Sequence, residues 1–306
     1  MSQKRGRFLI GVIVGVLLML VVCQWKRLIN QEETTSKEWV DYVNPYMGNI
    51  SHLLVPTYPT VHLPNSMLRV YPERADYTSD QLAGLPLIVT SHRGNSAFNL
   101  SPYQGTEKGM KPVINYSYDR EKIVPYRYQV YLDRAQVEVD YAPSHQSGVY
   151  RLFFEKEEPV YLIFNSRNGA LKWENGALSG FQYVDKKTKV YLYAEMDQPL
   201  EKWGTLTDST LQHNLLSVDG KNASLYLGFG KQKELGIRYG ISFINTEQAK
   251  RNLNREIPAY DVDVIAEIGR NAWNDALGKI QVEGGSEADK VVFYTSLYRC
   301  YERPVN

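Results

Sequence analysis

Along most of the chain the apolar positions recur every second residue. Tyr126, Tyr128 and Val130 alternate with Arg127 and Gln129, and Val137, Val139 and Tyr141 alternate with Glu138 and Asp140. A period of two puts successive side chains on opposite faces of an extended chain, so each run predicts a half-buried strand. Residues 149–154, 160–164 and 190–194 are short β-branched or aromatic runs bounded by turn residues, which predicts three more. Residues 184–188 read as a hairpin loop, and residues 218–221 as a second, where Asp219-Gly220 supplies a position that accepts positive φ. Short strands at this spacing, from residue 39 to about 245, predict a mainly β protein built as an antiparallel β-sandwich. Residues 44–104 depart from the pattern: they are proline-rich and show few clear strands. A long irregular segment of that kind is usually functional.

From residue 246 the period lengthens to that of a helix. Thr246 is placed to N-cap a helix with Glu247 in its first turn. Pro258 is expected to start a second, with Ile265, Ile268, Ala272, Trp273 and Ala276 on one stripe and Gly278 near its end. After an extended link at 280–283, Gly284-Gly285-Ser286 leads into a last helix. Val291, Tyr294, Thr295 and Tyr298 fall on one of its faces and Phe293 and Leu297 on another, so it expects packing on two sides. Residues 246–283 thus read as a short α-helical linker, and residues 284–306 as the start of a further domain that is missing beyond them.

The first thirty residues form a separate unit. Lys4, Arg5 and Arg7 precede an uncharged run at 8–25, which Lys26 and Arg27 close. As a helix this run spans about 27 Å at about 1.5 Å per residue, near the hydrocarbon thickness of a bilayer. Val, Ile and Leu on every face argue against a buried core helix. Leu20-Val21-Val22-Cys23 is similar to a bacterial lipobox, with Val22 where a small residue is usual, which makes Cys23 a candidate for lipidation. A transmembrane anchor, a lipoprotein signal and an ordinary cleaved signal all remain open. Each places the residues after 30 outside the cytoplasm, in the bacterial envelope, with the membrane as a partner.

Composition narrows the function classes. The 306 residues carry 35 Lys+Arg against 34 Asp+Glu, a net charge of +1, so there is no basic footprint for nucleic acid. With 43% hydrophobic residues the chain can bury a large core. The 2 Cys exclude a disulfide framework and a Cys-x-x-Cys site. The 23 Tyr suit half-wet β-surfaces and cleft walls. Gly228-Phe229-Gly230-Lys231 lacks the Walker spacing, and no Gly-x-Ser-x-Gly elbow is present.

One resemblance ties these pieces together. Tyr42-Val43-Asn44-Pro45-Tyr46-Met47-Gly48 resembles an opening Tyr-Val-Asn-Pro-Phe-Ile-Gly motif. Gly236-Ile237-Arg238-Tyr239-Gly240-Ile241-Ser242 follows in order, then Gln248-Ala249, Asn252-Leu253, Glu256-Ile257, Trp273-Asn274 and Leu277-Gly278-Lys279-Ile280. Gly284-Gly285 and Phe293-Tyr294-Thr295-Ser296-Leu297-Tyr298-Arg299 close the set. Together they resemble glycoside hydrolase family 92, the calcium-dependent exo-α-mannosidases. The resemblance covers about residues 39 to 306, and it implies an N-terminal β-sandwich domain at 39–245, a helical linker, and the first helix of a catalytic (α/α)6 barrel. It implies inverting hydrolysis, mannose-containing glycans as partner, and calcium for full-length members. The catalytic carboxylates and most calcium ligands belong to the barrel, so the resemblance assigns no catalytic residue, metal ligand or bound cofactor to this chain. Hydrolysis by the chain alone is not expected. The alternative is a stand-alone envelope carbohydrate-binding or interaction module.

Three loops depart from the family's sugar-pocket motifs: Gly48-Asn49-Ile50-Ser51-His52, Pro64-Asn65-Ser66-Met67 and Ser91-His92-Arg93-Gly94-Asn95-Ser96. His52 and His92 stand where the family has pocket histidines, which the resemblance implies as sugar contacts. Arg93 and Asn95 are planar polar groups able to fix sugar hydroxyls by paired hydrogen bonds. The bland reading is preferred for the other candidates. His62 is structural; His145 and His213 are solvated in turns. Arg69 and Arg74 form salt bridges, Trp273 is core, and Glu73 and Asp76 are solvated loop carboxylates. Asp261 and Asp263 point to opposite sides of a helix, and Trp173 and Trp203 remain possible sugar-stacking surfaces.

Overall fold

The computed structural model describes residues 37–50, 56–75, 78–90, 96–207 and 210–302. The N-terminal segment lies outside them; among the described residues no helix is long and apolar enough to cross a membrane. The strands are β1 (Val61–His62), β2 (Arg69–Val70), β3 (Gln81–Ala83), β4 (Leu85–Pro86), β5 (Phe98–Gln104), β6 (Asn115–Val124), β7 (Arg127–Leu132) and β8 (Val137–Pro143). They continue as β9 (Ser147–Phe154), β10 (Pro159–Glu174), β11 (Ala177–Tyr183), β12 (Lys189–Met196), β13 (Lys202–Leu206), β14 (Leu211–His213), β15 (Ser217–Lys231) and β16 (Glu234–Ser242). Three helices follow: α1 (Thr246–Glu256), α2 (Val262–Leu277) and α3 (Glu287–Cys300).

Alternation forms the strands as expected. In β7 the buried positions are Tyr128, Val130 and Leu132, and in β12 they are Val190, Leu192 and Ala194. Fourteen strands join in one antiparallel sheet, ordered β14-β13-β15-β10-β11-β12-β16-β9-β8-β7-β6-β3, with β5 and β4 branching from β10. Strand β10 is the joint. Its first half pairs with β5 (Val160↔Gln104 to Ser166↔Phe98) and its second with β11 (Gly169↔Gln182 to Glu174↔Ala177), while β15 follows both halves. The two layers close on one core, where Phe98, Leu162, Phe164 and Leu225 belong with Val130, Val139, Leu152, Leu192 and Ile237. That is a β-sandwich whose layers share a long strand.

Several local expectations are corrected. The loop at 184–188 does connect β11 to β12, with Lys187 and Thr188 amides donating to Asp185 Oδ1 at 2.7 Å each. Residues 218–221 are not a turn but the interior of β15, with Gly220 (φ +111) opposite Gly169 of β10. Long β10 offers that stretch a partner, and the ladder outweighs the local Asp-Gly preference. The two-residue turn lies at Asn175-Gly176, both at positive φ, between β10 and β11. Asn245, not Thr246, caps α1, its Oδ1 accepting from the Gln248 amide at 2.8 Å. Pro258 does not start α2; Asp261 does, by accepting from the Val264 amide at 3.0 Å, because capping needs a side-chain oxygen that proline lacks. Asp263 pairs with Arg127, and Ile268 is exposed. The buried face of α2 is Val262, Ile265, Ala266, Gly269, Trp273, Ala276 and Leu277.

The tyrosines divide between surface and core: Tyr131, Tyr183 and Tyr191 lie on half-exposed strand faces as expected, but ten of the 23 are buried. Tyr128, Tyr141, Tyr150 and Tyr239 are buried in the sandwich. Tyr150 donates to the Pro86 carbonyl at 2.6 Å, Tyr239 to that of Leu87 at 2.8 Å, and Tyr116 to that of Pro102 at 2.6 Å. The rings fill space between the layers while their hydroxyls serve carbonyls of the irregular segment.

That segment is belted to the helices around a second core of Val40, Val43, Leu63, Trp273, Leu277, Tyr294 and Tyr298. Trp273 donates to the His62 carbonyl at 2.7 Å and Tyr298 to that of Thr60 at 2.5 Å. Arg299 reaches the carbonyls of Tyr58 and Pro45, at 2.6 and 2.7 Å. The belt sets the position of the hairpin described next.

Candidate functional site

Strands β1 and β2 form a small hairpin in which His62 and Arg69 are register partners. Ser66 ties its turn: its Oγ accepts from the Leu63 amide at 3.2 Å and donates to the Leu68 carbonyl at 2.6 Å. Asn65, at φ +55, makes the reversal. The two side chains of the hairpin line a cavity of about 230 Å³, which Ser66, Met67, residues 88–90, Phe243 and Glu302 complete.

Arg69 and Glu302 form an ion pair in this wall, their side chains only 6% and 8% exposed. A pair so buried needs both members, because removing one leaves an uncompensated charge. His62 is 1% exposed and lies edge-on to Trp273 at 5.3 Å and tilted to Tyr298 at 5.1 Å. Its Nδ1 is 2.9 Å from the Leu63 carbonyl, which can only accept, so Nδ1 carries the proton and Nε2 is the lone-pair nitrogen. Nε2 is buried and has no hydrogen-bond partner among the described residues. Burial pushes the His62 pKa down to about 4; Arg69 and Arg299 act in the same direction, against the Leu63 carbonyl and Glu302. The ring is therefore neutral at neutral pH. The cavity wall thus combines a buried neutral imidazole, a paired Arg69–Glu302 and the hydroxyl residues Ser66 and Thr90 with apolar Met67, Ile88, Val89 and Phe243.

His52, His92, Arg93, Asn95 and Cys23 all lie outside the described residues, as does Asp76. The described residues of this wall run to Thr90, and the chain is described again from Ser96, which bridges back to Val89. Ser96 is held by Glu73, whose Oε2 accepts from its amide at 3.1 Å and its hydroxyl at 2.6 Å. Glu73 also pairs with Arg167, so it is a buried anchor and not a solvated loop carboxylate. Its local sequence shows neither partner, which lie 23 and 94 residues away.

The other candidates divide cleanly. Arg69 and Arg74 are salt-bridged, to Glu302 and Glu121, and Trp273 is fully buried core. Trp173 and Trp203 pack half-buried against the sandwich core. His145 is exposed in a turn, whereas His213 lies on β14 with Nδ1 2.7 Å from the Tyr226 hydroxyl. His62 has its structural bond and also lines the cavity. Phe243 and Glu302 carried no sequence signal, since nothing local to either shows that the hairpin meets them. A second cavity of about 290 Å³ lies beside Tyr161, Lys202 and Gly228, remote in sequence from the three loops.

Among the described residues no three His, Cys, Asp or Glu side chains are grouped to hold a metal ion. Calcium takes six to eight oxygen ligands, and no carboxylate cluster among the described residues supplies such a set.

A family model for the glycosyl hydrolase family 92 N-terminal domain matches residues 42–242, and one for the family's catalytic domain matches residues 248–306. The chain belongs to glycosyl hydrolase family 92. A family 92 inverting mannosidase of Bacteroides thetaiotaomicron superposes with a TM-score of 0.77 at 28% identity, over 87% of this chain and 40% of that one. A family 92 α-mannosidase of the same organism gives 0.77 at 20% identity, over 88% and 42%, and shares the fold. A stretch of 71 residues is 34% identical to an uncharacterized secreted glycosidase of Arthroderma benhamiae, covering 22% of this chain and 9% of that protein. The family 92 chain thus spans about two-fifths of the solved mannosidases it matches.

Proposed function

We propose that this chain is the pocket-lining N-terminal part of an α-mannosidase-like glycoside hydrolase acting on mannose-containing glycans. The observation that carries the reading is the family 92 match across both domains, with 28% identity to an inverting mannosidase over 87% of the chain. In this reading residues 39–245 are the sandwich domain, 246–283 the helical linker and 284–306 the beginning of the catalytic barrel. Inversion needs an acid on the leaving oxygen and a base on the attacking water, about 6.5–9.5 Å apart. Both are assigned to barrel residues beyond this chain, as are most of the calcium ligands. The sandwich contributes sugar contacts, His52, His92, Arg93 and Asn95 among them, and residues 1–30 hold the protein in the bacterial envelope. The test is an assay of the purified chain with an aryl α-mannoside and α-1,2-mannobiose, with and without calcium. Saturable binding without mannose release is expected. Release of mannose would overturn the assignment of catalysis to the barrel, and absence of mannoside binding would overturn the sugar-contact role.

A further inference from the structure

We propose that Arg299 is a positioning residue for sugar binding. Through it α3, in the part matched by the family's catalytic domain, holds both ends of the stretch 46–57 of the N-terminal domain. The inference deepens the functional reading above and rests on it for the sugar contact at His52, which this stretch carries.

Three observations carry it. The first is the bite of the side chain. Arg299 Nη2 donates to the Pro45 carbonyl at 2.7 Å and Nη1 to that of Tyr58 at 2.6 Å, so one guanidinium joins the positions just before and just after the stretch. A planar fork fixes two carbonyls relative to each other, which the point charge of an ammonium does not. The second is that these bonds cross the domain boundary. Thr295, one turn earlier on α3, also accepts from the Asn44 amide at 2.9 Å, so the helix holds the entry of the stretch twice and its exit once. The third is that the charge has no counter-ion. Arg299 forms no salt bridge among the described residues, and Glu302, three residues on, pairs with Arg69 instead. A guanidinium served by carbonyls alone gives up hydration without charge compensation, so what distinguishes it from a neutral donor here is its two-pronged geometry. Inside the clasp the stretch also closes on itself. The Thr57 amide donates to the Gly48 carbonyl at 2.9 Å, and its hydroxyl to that of Met47 at 3.2 Å. Gly48 is at φ +87, and a Cβ there would stand 2.6 Å from Thr57 Oγ1. This inner closure sets the shape of the neck, and Arg299 sets where the neck stands relative to α3.

The experiment compares the full ¹⁵N-labelled chain, held in detergent, with Arg299→Lys, which keeps the charge and loses the fork, and with Arg299→Ala. Hydrogen exchange is read at the amides of Asn49 and Thr57, with Val139 and Leu152 of the sandwich as reference. Affinity for methyl α-D-mannopyranoside is read from amide shifts. Both substitutions are expected to speed exchange at Asn49 and Thr57 about tenfold and to leave the reference amides unchanged. Both are expected to weaken mannoside binding about fivefold. Added methylguanidinium is expected to restore both readouts in Arg299→Ala, which a mere loss of helix packing would not allow. Should Arg299→Ala not fold, Arg299→Lys decides alone. Unchanged exchange at Asn49 and Thr57, a rise shared with the reference amides, or no rescue overturns the clasp. Faster exchange there with mannoside affinity intact overturns the positioning role and leaves the mannose reading standing. Absence of mannoside binding by the unsubstituted chain overturns the mannose reading and the positioning role with it.

Discussion

In the sandwich, backbone groups find one another along ladders such as Tyr128↔Tyr141 and Tyr193↔Gly240, and side chains mainly fill space. Between Trp39 and Val70, in the first part of the irregular stretch, the only ladder among the described residues is the β1–β2 hairpin, and side chains from a distant part of the chain supply hydrogen bonds. Trp273, Tyr298 and Arg299 are 211 to 254 residues from the carbonyls they serve. The sandwich therefore spreads its stability over dozens of buried apolar side chains, whereas the belt concentrates it in a few. The cavity sits where the two systems meet, with Ile88 from the sandwich core and His62 beside the belt's Trp273. A site placed there is rigid only as long as the belt is closed.

The hardest test of this contrast is Trp273→Ala. It empties the centre of the belt core and removes the donor to the His62 carbonyl. A loss of about 3–5 kcal/mol is expected, read by urea unfolding. Hydrogen exchange should show that loss at the amides of Thr57 and His62 before it appears in β8 or β9. A uniform rise in exchange across the sandwich would erase the distinction between the two regions.

Acid should act on the same place. Folding holds His62 neutral down to about pH 4, while the unfolded chain takes the proton near the ordinary 6.5. Its contribution is complete above about pH 6.5 and is lost progressively as pH falls from there through 4. The difference amounts to roughly 3–3.5 kcal/mol at most, at about 1.36 kcal/mol per pH unit. The charged groups facing the ring, Arg69, Glu302 and Arg299, belong to β2, the turn just after α3 and α3 itself. Unfolding curves at pH 7 and 4.5 should differ more for the wild type than for His62→Asn. Equal differences would show that other groups govern the acid response.

How far the sequence revealed this arrangement follows from the same contrast. Strands announced themselves because a half-buried strand writes its period locally, as Val137, Val139 and Tyr141 do. Turn chemistry failed at Asp219-Gly220 because the extension of β10 opposite it is a long-range fact. The family resemblance placed the sandwich and helices, and it pointed to Pro64-Asn65-Ser66-Met67, two residues of which line the cavity. Glu302 and Phe243 were invisible, since their relation to His62 exists only after the belt closes. Glu73 was misread for a similar reason: Ser96, just ahead of β5, and Arg167 of β10 reach it from distant positions.

The smallest effect is the one that best separates the two ways of satisfying a backbone. Tyr150 belongs to the sandwich, but its hydroxyl serves the Pro86 carbonyl at 2.6 Å, at the edge of the irregular segment. Tyr150→Phe keeps the ring and its packing and leaves that buried carbonyl without this donor, so about 1 kcal/mol should be lost. Tyr141→Phe, in the same cluster, removes only a hydroxyl 3.1 Å from that of Tyr239, which still donates to the Leu87 carbonyl. It should cost less than Tyr150→Phe, and thermal unfolding of the two variants side by side reads the order directly. The reverse order would mean that hydroxyl networks within the sandwich, rather than donation to irregular backbone, are why these core positions are tyrosine and not phenylalanine.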